Sequence, residues 1–364
     1  MVQKTAAALA FGLLLAACGS DTESAADLAA TQQAVEAVET TAPPIGVTTP
    51  QPDRPIVLGD KLSIDPLDTD TLIVEAETIV FDTFNGGSIT LAEASPEQID
   101  QLLDRILPID TPNYEVGSEI DWLTPDDVVI GYVDDNGGTW AYPLRILNFH
   151  EIVNDQFAGV PVLISYCPLC GSGVVFDRRI NELTISFSNT SALHENDMVM
   201  VDRETGSYWW QVPGRSIGGV FAGDELEVLP SETARWGDWL ERHPDTQVLE
   251  RPINDGRYDR DPFIDYTDNV DQGLTPFPVS QEALTDQRLT PGSSVLVTTV
   301  EGETRVWPVD PPRIVEDSVG GVDVTVELNG VGGTIVDADG ASLPSRTSLW
   351  FAIIASFPDA TVGS

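Results

Sequence analysis

Two stretches of the sequence resemble two later stretches, and this internal repeat is the strongest constraint on the fold. Residues 136–143 resemble residues 301–308, and residues 152–162 resemble residues 314–324 in the same order along the chain. Nine aligned positions are identical, and most of them are the glycine, proline and valine residues that shape turns and strands. A chance similarity of turn residues is the alternative, but nine matches in one alignment favour a repeated β-rich unit.

The chain after residue 55 predicts an α+β, β-rich fold, because short alternating apolar runs are separated by turn residues. We expect one globular domain over residues 56–364. Two related β-rich units at about residues 130–250 and 295–364 pack together in it, with a few short helices. The predicted strands span residues 127–133, 160–166, 173–177, 183–188, 198–202 and 208–212.

Two segments have helical patterns. Ser95 is a capping residue, Pro96 suits a first turn, and Gln98 completes a capping box, so a helix is predicted to begin at Pro96. A second helix is predicted over residues 231–242, with its tryptophans facing inward.

The N-terminus has the features of an export signal. An apolar run of about a dozen residues follows Lys4, and it is shorter than the roughly 20 residues that span a bilayer. Residues 1–18 end in a lipobox-like pattern, which predicts lipidation of Cys18, whereas an ordinary signal peptide with a chance cysteine is the alternative. Residues 19–55 predict a disordered acidic linker. We therefore expect a lipoprotein of the cell envelope that is anchored to the membrane through Cys18.

The charge of the chain limits its partners. The formal net charge is −41, from 18 basic and 59 acidic residues. Such a chain cannot neutralise a phosphate backbone, so a nucleic-acid partner is excluded. The sequence also contains no phosphate loop, dinucleotide fingerprint or nucleophile elbow. The identity of a protein partner stays open.

Cys167 and Cys170 form a Cys-Pro-Leu-Cys-Gly motif between two predicted strands. Three interpretations fit this motif. A strand on each side is typical of a metal-binding knuckle, in which the two thiolates supply part of the ligand set. An oxidising envelope also permits a structural disulfide, and a catalytic dithiol is the third interpretation.

A metal ion at this motif needs further ligands, and His150 is the main candidate. The first unit contains His150, Cys167 and Cys170, whereas the second unit has neither cysteine nor histidine. Glu151 and Asn154 lie close by in the sequence and are candidates for orienting the imidazole ring. Thiolate and imidazole donors suit copper or zinc, and we place copper slightly ahead because methionines are also nearby.

Several other residues are weaker candidates. Met198 and Met200 share one face of a predicted strand, where core packing is the default and copper ligation the alternative. His194 lies in a polar loop and is a further candidate ligand, although an exposed loop histidine is the simpler interpretation. Trp209 and Gln211 are candidate pocket residues, with sheet packing as the alternative.

These motifs together resemble a bacterial family of domains of unknown function, DUF3179, over roughly residues 100–360. The resemblance implies no settled reaction. It supports treating His150, Glu151, Cys167 and Cys170 as one site. The segments that carry it are residues 141–147, 150–155, 166–171, 200–203 and 209–211.

The sequence thus predicts an exported envelope lipoprotein that binds a transition metal through a Cys-x-x-Cys/His site. A thiol–disulfide oxidoreductase is the first alternative. A non-catalytic envelope interaction protein with a structural disulfide is the second. Whether the protein is an enzyme is left open.

The anchoring hypothesis has a direct test. Because lipid attachment requires the Cys18 thiol, the Cys18→Ser variant is expected to move from the membrane fraction to the soluble fraction on cell fractionation. A variant that stays in the membrane fraction contradicts the lipoprotein hypothesis.

Overall fold

The structure is a computed structural model that describes residues 57–58, 64, 66–253 and 256–363. The predicted signal peptide, Cys18 and the predicted linker over residues 19–55 lie outside the described residues. None of the helices in the described part of the chain has the length and apolar composition needed to cross a bilayer.

The described residues form a β-rich structure with short helices, which confirms the predicted fold class. The α-helices are α1 (Pro96–Leu102), α2 (Leu144–His150), α3 (Trp236–Arg242), α4 (Tyr266–Asp271), α5 (Gln281–Thr285) and α6 (Trp350–Ser356). The first twelve strands are β1 (Val57–Leu58), β2 (Ile79–Asp82), β3 (Ser88–Thr90), β4 (Ile109–Thr111), β5 (Tyr114–Val116), β6 (Val128–Val133), β7 (Thr139–Pro143), β8 (Ile152–Phe157), β9 (Val160–Cys167), β10 (Ser172–Asp177), β11 (Arg179–Ile180) and β12 (Leu183–Thr184). The remaining strands are β13 (Phe187–His194), β14 (Asp197–Asp202), β15 (Tyr208–Trp210), β16 (Arg215–Gly218), β17 (Glu232–Arg235), β18 (Gln247–Leu249), β19 (Ser294–Val300), β20 (Glu303–Pro308), β21 (Arg313–Val319), β22 (Val322–Leu328), β23 (Gly333–Asp337), β24 (Arg346–Leu349) and β25 (Thr361–Val362).

The strands are arranged in several sheets. The largest has nine strands in the order β1-β4-β8-β9-β10-β24-β19-β20-β25. A five-stranded sheet has the order β17-β6-β7-β18-β5, and a six-stranded sheet has the order β16-β15-β14-β13-β2-β3. A three-stranded sheet, β21-β22-β23, and a two-stranded sheet, β11-β12, complete the set. The first and second halves of the fold meet where β10 pairs with β24 in the largest sheet.

The two regions that resemble each other in sequence have the same order of strand pairings. The hairpin β6–β7 is flanked by antiparallel β17 and parallel β18, and the hairpin β19–β20 is flanked by antiparallel β24 and parallel β25. A helix connects the flanking strands in both cases, α3 in the first and α6 in the second. Between these parts lie three consecutive antiparallel strands, β8–β10 and β21–β23.

The same hydrogen-bond pattern occurs in both regions. Tyr142 on β7 donates to Asp155 on β8 at 2.7 Å, and Trp307 on β20 donates to Asp317 on β21 at 3.1 Å. The other carboxylate oxygen of each aspartate accepts a hydrogen bond from the next backbone amide. Aligned residues of the two regions therefore make equivalent contacts.

Two helix predictions have different outcomes. The first is confirmed, because Ser95 and Gln98 form the reciprocal capping box at the start of α1. The second is wrong over residues 231–235. Residues Glu232–Arg235 form β17, whose backbone pairs with β6, and α3 begins only at Trp236. The backbone hydrogen bonds that β6 forms with this segment outweigh its local helix propensity.

The Cys-x-x-Cys turn lies in the largest hydrophobic cluster. Cys167 and Cys170 belong to the same buried hydrophobic cluster as Phe176, Trp209 and Trp350. The site is therefore built into the core rather than onto a surface loop.

The packing of α3 on β6 gives a stability test. A Cβ atom added at Gly131 would lie 2.2 Å from the buried Trp239 ring, whose indole N–H donates to Thr246. Gly131→Ala is expected to lower the free energy of unfolding by about 1–3 kcal/mol, because overpacking forces the ring to move. Urea denaturation measures the change. Gly87→Ala, where an added Cβ comes no closer than 3.3 Å and the site is exposed, is the control and is expected to stay near wild type. Equal stabilities would contradict this packing.

Candidate metal centre

The two cysteines lie on a tight turn between two strands, as the sequence predicts. β9 ends at Cys167, β10 begins at Ser172, and these two residues are paired in the antiparallel ladder. The amide of Cys170 donates to the carbonyl of Cys167 at 3.2 Å, which closes the turn. Gly171 has a φ of +55°, a backbone conformation that residues with a side chain rarely adopt. Glycine at this position therefore allows the chain to enter β10.

The thiols form a compact group with Asp197. The sulfurs of Cys167 and Cys170 are 3.2 Å apart and are not joined by a disulfide. The Cys170 thiol donates to Oδ1 of Asp197 at 3.1 Å. The ligand atoms of Cys167, Cys170 and Asp197 all lie within 4.8 Å of one another, and all three residues are buried.

A second turn places Asp197 beside the thiols. Glu195 and Asn196 both have positive φ and connect β13 to β14, which begins at Asp197. The second carboxylate oxygen of Asp197 accepts from the amide of Val212 at 2.8 Å. This bond fixes the carboxyl group, so that its first oxygen points to Cys170.

Burial controls the protonation of this group. It raises the pKa of Cys167 and of Cys170 above that of a free thiol, and the nearby Asp197 charge raises both further. Burial also raises the pKa of Asp197 to about 7, although hydrogen bonds to the carboxylate oppose the shift. Without a cation the thiols are therefore neutral at pH 7, and a metal ion would have to displace protons to bind them.

His150 does not belong to this group. Its Nδ1 bonds to the carbonyl of Leu107 at 2.8 Å, and its Nε2 bonds to the hydroxyl of Tyr258 at 2.8 Å. Both ring nitrogens are thus in use. Among the described residues, the group of mutually close metal-ligand atoms contains Asp197 in the place that we expected for His150.

Glu151 and Asn154 also have roles other than the predicted one, since neither orients the His150 ring. Glu151 follows α2 with a φ of +58°. Its buried carboxyl group accepts a hydrogen bond from the side-chain amide of Asn189 at 2.6 Å. Burial raises the pKa of Glu151 to about 8. The Asn154 amide donates to Asp110 and to the Phe187 carbonyl, so it links strands.

The remaining candidate ligands divide into three environments. The Met198 sulfur lies 3.5 Å from the amide nitrogen of Asn189, and Met198 lines the same cavity as Cys167. Met200 is fully buried in the core cluster of the cysteines. His194 bonds through Nδ1 to the Thr78 hydroxyl and is buried rather than exposed, so the simple loop interpretation is also wrong.

Trp209 and Gln211 do not line the cavity beside Cys167 and are packed inside the sheets. The Trp209 indole donates to Asp202 at 2.9 Å, and the Gln211 amide donates to the Ser165 hydroxyl at 2.9 Å. Both residues are fully buried. The sheet-packing alternative describes their positions.

A cavity of about 860 Å³ lies on one side of the thiol group. Cys167, Glu151, Asn189 and Met198 are part of its wall, together with a larger number of apolar residues. Cys167 is thus the ligand candidate that connects the buried group to the cavity.

Sequence reasoning missed Asp197 and Asn189. Asp197 follows the polar segment around His194, and the turn residues Glu195 and Asn196 lack the glycine that is typical of a two-residue hairpin turn, so the sequence does not mark the start of a strand at Asp197. No local pattern marks Asn189, which reaches the site through a bulge between Asn189 and Ala192.

The family model described as protein of unknown function (DUF3179) matches residues 103–360. The chain belongs to this family. The DUF3179 match covers the Cys-x-x-Cys turn, Asp197 and the second of the two similar regions. No curated protein and no solved structure matches the chain.

The raised thiol pKa gives a test of the buried environment. In a Cys18→Ser, Cys170→Ser protein Cys167 is the only thiol. After treatment with a chelator, its rate of alkylation by iodoacetamide is expected to rise through a midpoint above the value of about 8.5 found for a free cysteine. The same protein unfolded in urea is the control and is expected to titrate near 8.5. A folded-state midpoint below the unfolded one contradicts the proposed environment.

Proposed function

We propose that this DUF3179 protein binds a zinc ion through Cys167, Cys170 and Asp197. The observation that carries the proposal is the group of three ligand atoms within 4.8 Å of one another. Buried thiols and carboxyls without a cation are costly to ionise, and a bound dication would stabilise their charged forms. Three protein ligands leave one position of a tetrahedral zinc site for water or another molecule.

The ligand set favours zinc over copper. The sequence placed copper slightly ahead because imidazole and thioether donors were candidates. The His150 nitrogens are occupied, and a carboxylate, a harder donor than imidazole or thioether, completes the group. Two thiolates and a carboxylate are ligands that zinc accepts in proteins.

Two features argue against the thiol–disulfide oxidoreductase alternative. A reactive cysteine in such enzymes has a lowered pKa, and burial raises the pKa of both thiols here. The second cysteine also leads into β10 rather than into a helix whose N-terminus would stabilise a thiolate.

We place this activity in the cell envelope. Support comes from the sequence of residues 1–18, which resembles an export signal ending in a lipobox-like pattern, and from the composition of residues 19–55, which is typical of a linker. The protein would be held at the membrane through Cys18, with its zinc site in the globular domain.

We also propose that the domain consists of two related units, of which only the first carries the site. Support comes from the matching strand pairings and from the equivalent hydrogen bonds of Asp155 and Asp317. Residues 295–364 contain no cysteine, so the second unit has no counterpart of the two thiols.

Zinc binding is tested with full-length Cys18→Ser protein, in which the only thiols are Cys167 and Cys170. We expect one zinc ion per chain by elemental analysis after dialysis against zinc. Cys167→Ser, Cys170→Ser and Asp197→Asn are each expected to weaken zinc binding by about tenfold or more, because each removes a ligand.

Glu151→Gln is the matched control, because Glu151 is a buried carboxyl group near the thiols but outside the ligand group. It is expected to keep the zinc content of the parent protein. No bound zinc in the parent, or equal loss in Glu151→Gln and Asp197→Asn, contradicts the ligand set. A parent protein, purified without reductant, whose intact mass rises by that of two hydrogens on treatment with a reductant supports the disulfide alternative.

A further inference from the structure

The cavity beside the thiol group has a wall that is mainly apolar and aromatic. Its apolar members include Phe84, Ile106, Leu169, Met198, Phe263 and Phe277. The volume of about 860 Å³ falls within the range of cavities that hold small organic molecules, roughly 300–1,000 Å³. A ring system would bury much of its surface against these side chains.

The cavity wall also contains the buried polar residues Asn189 and Glu151. Asn189 is 2% exposed, and its side-chain nitrogen donates to Glu151 and to the sulfur of Met198. Its side-chain oxygen accepts from the backbone amide of Ser191. The described contacts of the Glu151 carboxyl group use only one of its oxygens, Oε2. The other oxygen has no hydrogen bond to a described residue and belongs to a side chain in the cavity wall.

The charges of the wall exclude an anion. Among the described residues that line the cavity there is no lysine, arginine or histidine, and the two acidic ones are Asp82 and Glu151. A carboxylate or phosphate held by these side chains alone would lose its hydration without gaining a counter-charge. Glu151 can donate a hydrogen bond when protonated, a state that burial favours at pH 7.

We propose that this cavity binds an uncharged, largely apolar ring compound whose carbonyl or hydroxyl oxygen meets Glu151. This inference goes beyond the zinc site, because the wall that selects the ligand does not require the metal. The ligand would lie against Cys167, so it would also cover one side of the zinc ligand group.

A matched series of ligands tests the charge preference. 2-Acetylnaphthalene is uncharged and has a ketone oxygen, and 2-naphthoate has the same ring with a carboxylate. With chelator-treated full-length Cys18→Ser protein at pH 7, calorimetry is expected to give a dissociation constant for the ketone at least about tenfold lower than that for the carboxylate. Equal or tighter binding of 2-naphthoate, or tighter binding of a naphthylmethyl ammonium ion, overturns the proposal.

Variants test the location. Leu274 is 59% exposed and lines the cavity, and Leu183 is 48% exposed on the β11–β12 hairpin away from it. Leu274→Asp is expected to weaken binding of 2-acetylnaphthalene by about fivefold or more, because it puts a carboxylate into the apolar wall, and Leu183→Asp is expected to leave it unchanged. Equal effects of the two substitutions place the ligand elsewhere and overturn the proposal.

The role of Glu151 and the independence from zinc are tested separately. Glu151→Leu is expected to remove the preference for 2-acetylnaphthalene over naphthalene, and a retained preference contradicts the hydrogen bond. Cys170→Ser is expected to bind zinc at least about tenfold more weakly and still to bind the ketone. Loss of ketone binding in folded Cys170→Ser overturns the inference, whereas absence of zinc from the parent protein with intact ketone binding overturns only the zinc proposal.

Discussion

Removal of the Cys167–Cys170 turn from water is the physical constraint on which the site depends. The turn is packed among aromatic side chains of the core, and the same burial raises the pKa of both thiols, of Asp197 and of Glu151. Each of these groups is therefore more stable in its neutral form than it would be in water. A dication reverses this preference for the three groups that surround it. Glu151, which lies in the cavity wall, is subject to the same desolvation.

Local patterns in the sequence predicted the parts of the structure that depend on neighbouring residues. The capping box at Ser95 and the strand–turn–strand form of the Cys-x-x-Cys motif are examples, because each needs only a few adjacent side chains. Contacts between distant residues decided the rest. The His150 ring is hydrogen-bonded to Tyr258, which lies 108 residues later in the chain, and no sequence pattern around the histidine indicates this partner. Asp197 reaches Cys170 from 27 residues away through a hairpin turn.

The β9–β10 connection and the β22–β23 connection, which follow the two similar stretches of sequence, differ in how they are closed. The connection between β9 and β10 carries the cysteines. The corresponding connection between β22 and β23 is closed by Asn329, whose side-chain oxygen accepts from two backbone amides of its own turn. Its amide group donates to the carbonyl of Thr233 on β17. An asparagine side chain thus closes this connection in the second region, whereas the connection in the first region carries the two thiols.

The thiol turn is likewise held by the opposite region. The carbonyl of Cys170 accepts from the amide of Leu349 at 2.7 Å and from the hydroxyl of Ser348, which lies 178 residues further along the chain. Both donors come from the last two residues of β24, so the backbone of the turn is completed by a strand far from it in sequence. A chain that ended before β24 would leave the Cys170 carbonyl without these two donors.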